Sequence, residues 1–172
     1  KKRPLDEILN EFDKLVGMRS VKNMVRRLAV QSMFMRQRSE QGVGNVQQMV
    51  MNFILTGNPG TGKTTIARKM GELLYSMDIL SSSKVVEVSR ASLVGKYMGE
   101  TPKIVNKMCD KAMGGILFID EAYMLNTDND NYGKEAIDTL VKRMEDDRGK
   151  FVVIAAGYKD EMSNFMMANA GL

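Results

Sequence analysis

Gly57-Asn58-Pro59-Gly60-Thr61-Gly62-Lys63-Thr64 is the stretch whose reading decides the fold. It satisfies the pattern G-x-x-x-x-G-K-[ST] at every fixed position. Glycine lets backbone N–H groups turn inward around phosphate oxygens, in a loop that bulkier residues do not form. In such a loop Lys63 brings a point charge between β- and γ-phosphates, and the Thr64 hydroxyl reaches Mg²⁺. The helix expected behind it aims its positive dipole end at the same phosphates. The candidate nucleotide-contacting residues are therefore Asn58, Pro59, Gly60, Thr61, Gly62, Lys63, Thr64 and Thr65. The flanks agree with this, since residues 50–56 (V-M-N-F-I-L-T) read as a buried strand and residues 63–77 as a helix.

Further along, Ile116-Leu117-Phe118-Ile119 is a fully apolar strand that runs into Asp120-Glu121. A strand ending in Asp delivers a carboxylate to the carboxyl edge of the sheet, where the glycine loop also lies. Asp120 is thereby placed to hold Mg²⁺, directly or through water. Glu121 reaches beyond it, to orient or deprotonate an attacking water. The pair also narrows the class. A GTPase calls for D-x-x-G after this strand, and Asp120 is followed by Glu121-Ala122-Tyr123. The guanine signature N-K-x-D fails too, because Asn106-Lys107-Met108 ends in Cys109. Catalytic work falls to Glu121, Lys63 and Asp120, with Thr64 and Asp120 as the metal ligands.

Apolar strands are expected also at 85–89 and 151–156, with helices at 5–12, 20–41, 101–113, 134–146 and 160–168. Residues 91–100 read as irregular, and Thr101-Pro102 as an N-cap followed by proline at the first helical position. In the helix at 134–146, Ala136, Ile137, Leu140, Val141 and Met144 share one face. Uniformly apolar strands alternating with helices imply an α/β fold with a parallel sheet covered on both faces. Residues 1–45 read as a helical linker and 46–172 as the core.

The chain has 172 residues, 44% hydrophobic and 27% charged, enough for one core. No apolar run approaches the ~18 residues that span a membrane. The basic start Lys1-Lys2-Arg3 is not followed by the apolar stretch of a signal peptide. One cysteine, Cys109, and no histidine leave no intrachain disulfide and argue against structural zinc. Cys109 falls in an apolar helical pattern, which suits a packed thiol. The net charge of +4 gathers on Arg19, Lys22, Arg26, Arg27, Arg36 and Arg38 of one expected helix. Only Phe34 interleaves with them, so the stacking platform of a single-strand binder is missing, and a solvated face is the better reading.

These strings resemble the AAA+ ATPases, and within them the CbbX/CfxQ-type group that includes red-type Rubisco activase and SpoVK. The resemblance runs from about Leu5 to Leu172. It rests on L-T-G-N-P-G-T-G-K-T-T-I-A-R at 55–68, G-G-I-L-F-I-D-E-A-Y at 114–123 and Y-G-K-E-A-I-D-T-L at 132–140. It implies a P-loop NTPase three-layer α/β/α fold and Mg²⁺-dependent hydrolysis of ATP to ADP. It also implies a homo-hexamer that remodels a protein partner through its central pore, in the cytoplasm or an organelle stroma. Asp13-Lys14-Leu15-Val16-Gly17 resembles the box that lines the adenine pocket, which assigns Val16 and Gly17 to the base. Leu93 to Glu100 resembles the pore loop, with Tyr97, Met98 and Gly99 at its tip. Tyr158 stands nearest the γ-phosphate sensor, although that position is usually Asn, Thr or Ser. The group's arginine finger, fifth strand and helical lid follow the segment Asn169-Ala170-Gly171-Leu172, so low turnover is expected from these residues alone. Two other readings stay open: a nucleic-acid-linked motor or loader, and a nucleotide-gated scaffold without significant turnover.

Overall fold

A computed structural model describes residues 2–13, 27, 30, 52–57, 62–126 and 131–169. Val16, Gly17 and the loop residues Asn58, Pro59, Gly60 and Thr61 lie outside the described residues. So does most of the expected basic helix, of which Arg27 and Val30 are described and helical. In chain order the described elements begin with α1 (Leu5–Asp13), β1 (Phe53–Thr56), α2 (Lys63–Ser76) and β2 (Val85–Val88). There follow α3 (Arg90–Leu93), α4 (Glu100–Ala112), β3 (Ile116–Ile119) and a 3-10 turn (Ala122–Leu125). The series closes with α5 (Asn131–Asp146), β4 (Val152–Gly157) and α6 (Lys159–Ala168).

The strands form one four-stranded sheet in the order β1-β4-β3-β2. Every pairing is parallel, with Phe53 opposite Ile154, Ile116 opposite Val152 and Val85 opposite Ile116. Alternation along the strands explains why all four residues of β3 are buried. Ile116 and Phe118 face one way and join Ile8 of α1 and Ile66, Met70, Leu73 and Leu74 of α2 in one core. Leu117 and Ile119 face the other way and pack with Leu93, Val105, Ile137, Leu140 and Phe165. The expected three-layer α/β/α architecture is therefore present. Each layer of helices removes from water the face of the sheet it covers, which is the main favourable contribution to folding.

Three local expectations are corrected. Residues 91–100 are not wholly irregular, because Ser89 and Ser92 form a reciprocal capping box that starts the short α3. Thr101 is not an N-cap. Helix α4 starts at Glu100 behind Gly99, and Thr101 is fully buried, its hydroxyl oxygen accepting the Gly95 N–H at 3.1 Å. Pro102 still falls in the first turn, where its missing N–H breaks no helical bond. Helix α5 begins at Asn131, three residues before the expected start. Its inner face is as read, with Ala136, Ile137 and Leu140 buried and Val141 and Met144 packed against them.

Helix α1 is tied to α2 by charge as well as by Ile8. Arg3 bonds Glu7 at 2.8 Å and Glu72 at 2.9 Å, and it also pairs with Glu11, which in turn binds Lys69. The N-terminal segment thus braces the helix that carries Lys63.

Candidate functional site

Strand order decides what meets at the carboxyl edge of the sheet. Because β4 lies between β1 and β3, the end of β4 falls between the glycine loop after β1 and the acidic pair after β3. Gly62, the N-cap of α2, takes φ 80° and ψ 29°, a left-handed turn that favours glycine. The turn starts α2 at Lys63, so the helix presents its first N–H groups and its positive end beside that side chain. The Lys63 ammonium donates to the Gly57 carbonyl at 3.1 Å. It also lies 5.4 Å from the centroid of the Tyr158 ring. Thr64 is half-buried and Thr65 exposed in the first turn of α2.

Asp120 leaves β3 at the same edge. Its backbone N–H donates to the Val88 carbonyl at 2.9 Å, and its Oδ1 accepts the Glu121 N–H at 3.0 Å. Glu121 takes φ 49° and ψ 47°, and is one of two non-glycine residues with positive φ among those described. This turn stops the strand abruptly and leaves Glu121 exposed at the sheet edge. The 3-10 turn that follows is held by Met124 N–H to Glu121 O at 2.9 Å.

Tyr123, on that turn, packs against Tyr158 with ring centroids 5.9 Å apart and planes at 38°. Gly157 makes room for the pair, since a Cβ there would come within 2.8 Å of the Tyr123 ring and of the Met162 sulfur. Burial, then the negative charge of Glu121, pushes the Tyr123 phenol above its ordinary range. Nothing in the sequence singles out Tyr123, although it closes the G-G-I-L-F-I-D-E-A-Y string. Only the pairing of β3 with β4 brings it beside Tyr158.

The donor set suits a magnesium nucleotide. A hydroxyl at Thr64 and a carboxylate at Asp120 are hard oxygen ligands, and Mg²⁺ takes one or two such protein groups together with phosphates and water.

Tyr97, Met98 and Gly99 lie between α3 and α4. Tyr97 is 70% and Met98 91% exposed. Their loop is nonetheless ordered from behind. Glu100 Oε2 accepts the backbone N–H of Lys96 at 2.8 Å and of Tyr97 at 3.2 Å.

A glycine-loop lysine at a helix start, at the carboxyl edge of a parallel sheet with an Asp-Glu pair, defines the P-loop α/β class. The family follows from comparison. Residues 53–169 match the model of the "ATPase family associated with various cellular activities (AAA)", and the chain belongs to that family. It is 44% identical over 98% of its length to stage V sporulation protein K of Bacillus subtilis, covering 52% of that protein. It is 43% identical over 96% of its length to CbbX of Cereibacter sphaeroides, covering 54% of it. It is also 41% identical over its whole length to the chloroplastic ribulose bisphosphate carboxylase/oxygenase activase of Cyanidioschyzon merolae, covering 59% of it. The chain thus spans about half the length of these relatives. Its similarity to these proteins is to the CbbX, CfxQ and stage V sporulation protein K group within the AAA family, a family of ATPases that use ATP and ADP with Mg²⁺. The FIGL-1 AAA domain solved with ADP shares the fold, with a TM-score of 0.56 at 22% identity, over 86% of this chain and 49% of that one.

Proposed function

We propose that this chain binds Mg-ATP at the sheet edge between Lys63 and Asp120 and hydrolyses it, and that the whole protein uses the cycle to remodel a protein partner. One observation carries the reading. The Lys63 ammonium is held by the Gly57 carbonyl just past β1, on the edge where β3 delivers Asp120 and Glu121. In this reading Asn58 to Thr65 wrap the phosphates and Lys63 neutralises the β and γ oxygens. Thr64 and Asp120 hold Mg²⁺, which screens the charge that builds up on the phosphates. Glu121 orients water for attack on the γ-phosphate, and Val16 and Gly17 face the base.

Residues 1–45 then act as the linker that carries the adenine box, and 46–172 as the catalytic core. The partner is a polypeptide rather than a nucleic acid. Tyr97 and Met98 offer it an exposed aromatic–apolar grip of little sequence preference, on a loop fixed by Glu100. Copies assemble into a hexameric ring around that grip, in the cytoplasm or an organelle stroma. No described helix is long and apolar enough to cross a membrane.

The test is Glu121→Gln, assayed for both binding and turnover. Mg-ATP should bind as in the wild type while hydrolysis falls at least about a hundredfold, the lower range for a lost general base. Turnover unchanged in Glu121→Gln removes the assignment. For the loop, Tyr97→Ala should abolish remodelling of the partner while ADP still binds. Equal loss of both effects counts against the grip.

A further inference from the structure

The Lys63 ammonium is contacted on two sides, and the two contacts differ in kind. On one side is the Gly57 carbonyl, a hydrogen-bond acceptor at 3.1 Å. On the other is the face of Tyr158, at 5.4 Å to the centroid, within the range of a cation–π contact. The ring is itself built into place. Its backbone carbonyl accepts the Met162 N–H at 2.9 Å as α6 begins. The preceding carbonyl, of Gly157, accepts the Gly57 N–H at 3.2 Å, which locks the two strand ends together. Tyr123 packs on the ring at 5.9 Å, in space that only a glycine at 157 leaves open. Acceptor and ring therefore sit just past the ends of two adjoining strands that this hydrogen bond ties together, with Lys63 reaching between them.

We propose that Tyr158 is a positioning residue that acts through its ring face, not its hydroxyl: it holds the Lys63 ammonium where β- and γ-phosphates will meet it, and Tyr123 braces the ring. The inference rests on the nucleotide-site reading above. A lysine stem has four rotatable carbons and loses much freedom when fixed, so holding it beforehand lowers the cost of binding. An aromatic face suits this task better than a carboxylate. A carboxylate would pair with the ammonium and compete with the phosphates, whereas the ring attracts the charge weakly and leaves its N–H groups free to donate. The same geometry sets a ring role against a hydroxyl that bonds the phosphates of the bound nucleotide, and the two predict opposite behaviour for phenylalanine in Mg-ADP binding.

Mg-ADP affinity is measured by calorimetry for the wild type, Tyr158→Phe, Tyr158→Leu and Tyr158→Gln, and for Tyr158→Leu combined with Lys63→Met. Tyr158→Phe should bind within about twofold of wild type, because it keeps the ring face. The Leu and Gln variants should each bind about three- to thirtyfold more weakly, the worth of a partly exposed to desolvated cation–π contact. In the Lys63→Met background Tyr158→Leu should add no further loss. Equal losses in Phe and Leu variants would assign the hydroxyl instead and overturn the proposal. So would wild-type affinity in both the Leu and Gln variants, or a loss that persists without Lys63, which marks a merely structural effect. Wild-type protein that binds no ADP overturns the nucleotide-site reading and this inference together. Binding by wild type with no effect at Tyr158 overturns this inference alone.

Discussion

Glu121 occupies a backbone region, φ 49°, that costs an L-residue roughly 1–2 kcal/mol. Glycine adopts it freely but loses about 0.5–1 kcal/mol of unfolded-state entropy on folding. Glu121→Gly is therefore expected to be at least as stable as the wild type in urea denaturation, while ATP turnover disappears. A clear loss of stability would show that the carboxylate, and not the reaction, keeps Glu at this turn. Cys109 makes the contrasting case of a residue with no chemistry to do. Its thiol is fully buried in the core under α4, and burial pushes its pKa up to about 11. Alkylation by iodoacetamide at pH 8 should be slow in the native protein and fast in urea, and rapid native labelling would contradict the packing described here. The packed thiol was legible in the sequence, from its place in an apolar helical pattern. The strain at Glu121 was not, because nothing in F-I-D-E-A-Y distinguishes a left-handed Glu from an ordinary one.

Helices were read to within a few residues wherever periodicity alone sets their limits, as in α1, α2 and α6. A cap is misassigned where a distant partner claims the side chain. Thr101 has the composition of an N-cap, yet the Gly95 N–H claims its hydroxyl oxygen across the loop, and Glu100 opens the helix. Interhelical ties were equally invisible. Arg143 of α5 donates to Asp147 at 2.7 Å, to Asp110 of α4 at 2.8 Å and to the Asn106 carbonyl at 3.2 Å. Arg143→Ala should cost about 1–3 kcal/mol in chemical denaturation, and Arg143→Lys should recover only part, since one ammonium cannot reproduce the planar fork. At the α1–α2 contact, Arg3 and then Lys69 hold the Glu11 carboxyl at about 2, below its ordinary 4.5. A carboxyl lowered in the fold stabilises it above pH 4.5 and loses that contribution as pH falls toward 2. Glu11→Gln should thus melt below the wild type at neutral pH, with the gap closing across that window. A gap that is constant with pH would deny the charge pairing its role.

Across the whole molecule, the class of fold was legible because four apolar strands interleaved with helices admit few arrangements. The order β1-β4-β3-β2 was not written in any local pattern, and it is what makes one site of three strand ends. Gly57 comes from β1, Asp120 and Glu121 follow β3, and Tyr158 follows β4 between them. The strings around Lys63 and Asp120 mark both halves of the candidate site, whereas the Tyr123–Tyr158 pair and its contact with Lys63 depend on tertiary placement. The central claim is that this edge binds a magnesium nucleotide through Lys63. Its most direct test is a calorimetric titration of Mg-ADP into the wild type and Lys63→Ala, with folding checked by circular dichroism. The account predicts saturable binding by the wild type and a loss of at least about tenfold in the variant, the least expected for removing a charged hydrogen-bond donor. Equal affinity in the two proteins, or no binding by a folded wild type, would contradict it.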